Sequence, residues 1–173
     1  VRWPPTVEAG SRSDATICLT DLMATCADIL DVELPSSAGE DSVSLLPVLS
    51  GSSAAGEREA IVHHSIRGAF AIRQGPWKLA LCPGSGGWSA PRPGQDDLSQ
   101  LPAMQLFQLA DDVAETQNLA TGNVEQVARL KQLLDGYVAA GRSTPGAEQE
   151  NAREIDVSKA GRAAAATKPR NRP

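Results

Sequence analysis

The sequence predicts an α/β chain: the remnant of a larger α/β domain, a strand end and a helix, followed by a C-terminal four-stranded antiparallel sheet packed with one helix. Three observations predict it. Two stretches carry apolar residues at the three- and four-residue steps of a helix face. Four short apolar runs are separated by glycine- and proline-containing turns and one long loop. The length of 173 residues suits one full core with an appendage.

The opening residues, Val1-Arg2-Trp3-Pro4-Pro5, begin without an initiator methionine and read as the end of a strand whose start lies elsewhere, so the chain is expected to be a fragment. From Leu19 the apolar residues Leu22, Met23, Cys26, Ile29 and Leu30 recur at helical steps, which predicts a helix over 20–31 with Thr20 as its N-terminal cap. This strand end and helix belong to a larger domain, so one apolar face is expected to stay uncovered. Pro35 stops the helix. Residues 36–58, rich in Ser, Gly and Ala, read as a loop with a short apolar turn at 43–49. That loop marks the boundary between a first part, 1–50, and a second, 57–142.

Runs at 60–66, 69–74 and 77–82, separated by Arg67-Gly68 and Gly75-Pro76, read as a three-stranded meander, with a fourth strand at 105–109. Residues 83–94 hold too much Gly and Pro for a regular element and read as a shaped surface loop. Val124, Val127, Leu130, Leu133, Leu134, Tyr137 and Val138 form a helical stripe over about 123–140, expected to cover one sheet face, with Gly122 or Asn123 at its start. Residues 143–173 lose the apolar period and are expected to be a disordered tail.

A net charge of −5 and a pI near 5.0 give no general attraction to nucleic acid or an anionic membrane, so an anionic ligand must be held by a local cluster. No apolar stretch reaches the roughly 18 residues of a membrane span. Cys18, Cys26 and Cys82 show no Cys-x-x-Cys spacing. On one helix Cys18 and Cys26 would stand about 12 Å apart, too far for a disulfide, so all three are read as buried free thiols.

Two blocks carry a family likeness: Gln74-Gly75-Pro76-Trp77-Lys78-Leu79, and Leu106-Phe107-Gln108-Leu109 followed by Asp112, Glu115, Asn118 and Leu119. Together they resemble the closing segment of the arylsulfatase-like, formylglycine-dependent sulfatases of the alkaline-phosphatase-like superfamily. The resemblance covers about residues 1–146. It implies hydrolysis of a sulfate ester, on a sulfated carbohydrate or an aryl sulfate, with calcium and a formylglycine residue in the full-length enzyme and a periplasmic or extracellular location. The family's Cys/Ser-x-Pro-x-Arg motif has no match, since Cys82-Pro83-Gly84, Ser89-Ala90-Pro91-Arg92 and Ser143-Thr144-Pro145 each depart from it. The missing N-terminal catalytic domain is therefore expected to hold nucleophile and metal, and the fragment alone is expected to be inactive, with no catalytic or metal-binding residue of its own.

Five residues are candidates for substrate binding. His63 and His64 sit on one strand, where alternation sends them to opposite faces and keeps them from chelating one ion together. Either suits a hydrogen bond to a sugar or a sulfate oxygen; a histidine packed under the helix is the plainer alternative. Arg67 lies beside the same hairpin, whereas Arg73 and Lys78 are read as charges that merely solvate the sheet. In the 83–94 loop Trp88 offers a flat face for stacking on a ring or for plugging an interface, and Arg92 offers a planar fork for sulfate or carboxylate. Asp111, Asp112 and Glu115 lack the ligand alternation of a calcium loop and are read as acceptors for backbone N–H groups at a turn. Two further readings stand beside the sulfatase: a non-catalytic glycan-binding or interaction module, and a fragment of a related phosphoester or phosphonate hydrolase.

Overall fold

Apolar–polar alternation turns the four short runs into one sheet. In the computed structural model, which describes residues 1–53 and 58–158, the strands are β1 (Ile61–His64), β2 (Phe70–Gln74), β3 (Trp77–Ala80) and β4 (Gln105–Gln108), in the order β1-β2-β3-β4. The antiparallel register pairs Ile72 with Leu79 and Leu79 with Leu106, and all three are fully buried. Ala71, Arg73, Lys78, Ala80, Gln105 and Phe107 consequently share the other face, because successive side chains in a strand alternate. Gly75 at φ 55° supplies the positive dihedral of the two-residue turn between β2 and β3, which Gln74 and Trp77 close as a pair.

The described residues divide into two compact units, one of residues 1–53, 58–61 and 137–150, the other of residues 62–136 and 151–158. The second unit holds the sheet. Helix α3 (Val124–Ala140) follows a 3-10 turn at Ala120–Gly122, and its Leu130 and Leu134 are fully buried, as the stripe predicts. Arg129 Nη1 donates to Gln74 Oε1 at the end of β2. Asn123 donates its side-chain amide to Leu119 O at the start of this helix.

The first unit holds α1 (Asp21–Ile29) and the single turn α2 (Leu46–Leu49). Here the helix is inside out. Leu22, Met23, Ile29 and Leu30 are exposed, Leu30 to 70%, whereas Asp21 and Thr25 are buried. The buried side is a polar seam. Asp21 accepts from the amides of Cys18 and Val43 at 2.7 and 3.1 Å and pairs with the Arg58 guanidinium, which also donates to Asp41 O at 2.9 Å. Thr25 Oγ1 donates to Asp21 O at 2.6 Å and accepts from Leu45 N at 2.9 Å; Ser42 Oγ bridges Thr20 O and Ala24 N. From the last turn of α3, Tyr137 Oη donates to Glu59 at 2.8 Å, and burial, then this bond, push its pKa up.

Two sequence expectations change here. Thr20 makes no side-chain capping bond and instead donates to Asp41 O, while the amides it would have capped, Leu22 N and Met23 N, donate to Leu19 O and Thr20 O. All three thiols are free, but only Cys82 is buried, and Cys26 lies exposed on α1. The short apolar turn at 43–49 contains one helical turn, and the disordered tail expected from 143 is described only as far as Ser158; the rest lies outside the described residues, as do 54–57 of the loop.

A buried ion pair that loses one partner leaves the other charge stranded, so Asp21→Ala is expected to destabilise the fold by about 3–5 kcal/mol, read by urea denaturation followed by circular dichroism. The uncovered stripe is expected to bind a hydrophobic dye. Leu22→Ser combined with Leu30→Ser should remove most of that fluorescence; an unchanged signal would place the dye elsewhere.

Candidate functional site

The face of the sheet opposite the buried leucines carries a recess of about 530 Å³. Its floor exists because Ala71 and Ala80, opposite each other across β2 and β3, are too small to fill it. Its polar walls are His63 and His64 from β1, Lys78 from β3, Gln105 from β4 and Glu115 from the segment after β4, with Phe107 beside them.

Both histidines line this one recess, although alternation alone would separate them. β1 ends at His64, where Ser65–Gly68 turns the chain, and the His64 ring lies edge-on to Phe70 with centroids 5.9 Å apart. Both residues are exposed, so neither is packed under a helix. Partial desolvation in the recess, and then the Lys78 ammonium, hold the His63 pKa below its ordinary 6.5, so its imidazole is neutral at pH 7.

Lys78 and Glu115 are the pair that sequence reasoning missed. Lys78 Nζ lies 2.6 and 2.7 Å from the two carboxylate oxygens of Glu115, and both side chains are largely withdrawn from solvent. Glu115 adopts φ 55°, an unfavourable conformation for a non-glycine residue, in order to present that carboxylate. The signal was present: Lys78 alternates with the buried Leu79, so it shares the open face with Ala80 rather than standing free as a solvating charge.

The other motif residues serve the backbone. Asp112 accepts from the amides of Thr116 and Gln117 at 3.0 and 2.8 Å, which lowers its pKa, as the turn reading expects. Asn118 Oδ1 accepts from Leu106 N and Ala120 N at 3.0 Å each, and its amide donates to Met104 O, so one side chain closes the outer edge of β4. Pro76 O and Leu106 O accept from Leu109 N and Leu119 N. With Asp112 and Glu115 so engaged, the acidic cluster does not fit a calcium ion. Among the described residues no group of three or more His, Cys, Asp or Glu is placed to hold a metal.

The 83–94 loop is pinned from below. Gln105 Nε2 donates to Cys82 O and Gly84 O at 2.9 and 2.7 Å, and Ser85 N donates to Pro91 O at 3.0 Å. Gly86, at φ 65°, has room for no side chain, since a Cβ there would sit 2.8 Å from Cys82 Sγ. Burial pushes the Cys82 thiol pKa up, so it stays protonated and serves as packing. Trp88 is 74% exposed and plugs nothing within its unit. It borders a second hollow of about 210 Å³ with Ile66, Arg67, Arg92 and Gln95. The five sequence candidates thus fall into two groups, the two histidines in one recess and Arg67, Trp88 and Arg92 at the other.

No protein-family model matches the chain. It is 31% identical over 138 residues to an N-acetylgalactosamine-6-O-sulfatase of Bacteroides thetaiotaomicron, a match that takes in 78% of this chain and 26% of that protein. Its fold superposes on a solved Bacteroides thetaiotaomicron sulfatase from a locus for the metabolism of multiple glycosaminoglycans, with a TM-score of 0.62, 28% identity, and coverage of 78% of this chain and 27% of that one. A protein solved with its substrate D-glucosamine-2-N,6-O-disulfate shares the fold at a TM-score of 0.57 and 23% identity, over 78% of this chain and 26% of its own. The chain spans about a quarter of the length of these relatives. Motifs, sheet and sequence identity agree: over 78% of its length the chain is homologous to bacterial sulfatases, and its sheet and helix match their C-terminal subdomain.

Proposed function

We propose that the protein of which this chain is part hydrolyses a sulfate ester on a carbohydrate, and that this subdomain forms a wall of the substrate pocket without supplying the reacting groups. The observation that carries the reading is the polar recess on the sheet face of a chain 31% identical to an N-acetylgalactosamine-6-O-sulfatase. In this reading formylglycine and calcium belong to parts of the enzyme outside the chain; when bound in place they supply the nucleophile and the positive charge that a sulfuryl transfer needs. The chain alone is inactive, and the enzyme works in the periplasm or outside the cell. The exposed apolar stripe of α1 is the surface by which the subdomain joins the rest of the enzyme.

The chemistry of the recess suits sugar hydroxyls and amides more than sulfate. Glu115 already neutralises Lys78, and the neutral His63 ring has one donor and one acceptor to offer. A wall of this kind orients a ring and fixes its register without bearing on the charge that develops at sulfur. The glycan-binding module would use the same surfaces, and turnover by the full-length protein separates the two readings.

The test is a sulfatase assay on 6-O-sulfated N-acetylgalactosamine with the full-length protein and with this chain alone. The full-length protein is expected to turn over and the chain is not. His63→Ala in the full-length protein should raise KM roughly tenfold with kcat little changed, the mark of uniform binding. A kcat that fell with KM unchanged would move His63 into the chemistry.

The titration of His63 gives a second check. Its folded pKa lies below the unfolded 6.5, so the unfolded state binds more protons between the two values. The contribution of His63 to stability is therefore complete above pH 6.5 and is lost as pH falls through 6.5 toward the folded value. An NMR titration of the imidazole should give a midpoint below 6.5, and Lys78→Met should raise it.

A further inference from the structure

We infer that Arg67, Trp88 and Arg92 form a second subsite that takes an acidic pyranose ring, one whose carboxylate or sulfate is held but not cleaved. The inference rests on the carbohydrate reading above and deepens it, from a single sulfated sugar to a longer polyanionic glycan.

Charge is the first argument. In a chain of net charge −5, two guanidinium groups border one hollow, and among the described residues neither forms an ion pair. The Arg67 guanidinium passes over Gly94, where an added Cβ would lie 3.4 Å from Nη1. Arg92 Nη1 donates to the neutral amide of Gln95 at 3.1 Å. The nearby Asp96 carboxylate is turned to the backbone, accepting from Arg92 N. Arginine forks match the two oxygens of a carboxylate or sulfate, and an unneutralised pair at one opening favours an anion.

Shape is the second argument. Trp88 exposes three quarters of its surface on a loop whose Gly86 and Gly87 are buried, so the indole stands out from a fixed base. An amphipathic ring held in water by a pinned backbone has the geometry for stacking on the apolar face of a sugar. Two cations and a flat ring around one hollow select a charged pyranose over an inorganic anion, which has no face to stack. The first recess differs in kind: its cation is paired with Glu115, and it lies across the sheet face.

The probe is a tetrasaccharide of alternating N-acetylgalactosamine and glucuronate, used in three forms: 6-O-sulfated, unsulfated, and unsulfated with its carboxylates reduced. Each is titrated into the complete chain and followed by calorimetry and tryptophan fluorescence. Both acidic forms should bind, with affinity falling as salt rises, and the reduced form should not. Tighter binding of the sulfated form would assign sulfate as the preferred group, and equal binding would assign the carboxylate. Arg67→Ala and Arg92→Ala should each weaken binding about tenfold, the worth of one charge-assisted contact. Trp88→Phe should keep most of the affinity while removing the fluorescence change, and Trp88→Ala should lose both. Binding of the reduced form as tightly as the acidic ones, wild-type affinity in both arginine variants, or no binding of any form at millimolar concentration would each overturn the subsite. These titrations need no turnover, so their failure leaves the sulfatase reading intact. A full-length protein that cleaves no sulfate ester would overturn that reading and leave the subsite standing.

Discussion

The two-residue period of the β-strand is the constraint on which the rest of this molecule depends. Once Ile72, Leu79 and Leu106 are committed to the buried side, Lys78, Gln105 and Phe107 have no choice but the other. A slip of one residue in β3 would bury the Lys78 ammonium and expose Leu79. The hydrophobic effect thus sets the position of a polar recess through residues that never touch it. Two alanines then decide that the recess is open rather than filled.

The motif segment after β4 is read most simply as the device that finishes an open sheet edge. Asn118 and Leu119 satisfy the free main-chain groups of β4, Asp112 shapes the turn that brings them there, and Glu115 reaches back to Lys78. An edge closed by side-chain amides and an ion pair leaves no row of amides to pair with another chain. The left-handed conformation at Glu115 costs on the order of 1 kcal/mol, which the Lys78 contact offsets, since a well-aligned, partly screened pair contributes a similar amount.

Much of the sheet was legible because its signals are local. The runs at 69–74 and 77–82 contain their strands with one or two residues to spare, and Gly75-Pro76 marks the turn. The helix stripe through Leu130 and Leu134 was legible for the same reason. The recess was only half legible. His63 and His64 could be singled out as residues, yet their meeting depends on where β1 stops, and the Lys78–Glu115 pair joins positions 37 apart. Thr20 misled because its hydroxyl is drawn to Asp41 O, a partner 21 positions along the chain that no local spacing rule encodes.

The polar seam behind α1 bears on how this part of the molecule responds to temperature. Heat capacity of unfolding rises with apolar surface exposed and falls with polar surface exposed. A helix whose inner side is Asp21, Thr25 and a guanidinium, and whose leucines already meet water, adds little to that quantity on melting. Its stability curve is therefore flatter than that of the leucine-packed sheet, with less loss on cooling. The same leucines, once covered, would steepen it, so that curvature in a calorimetric trace becomes a measure of whether the outer stripe of α1 is in contact with protein or with water.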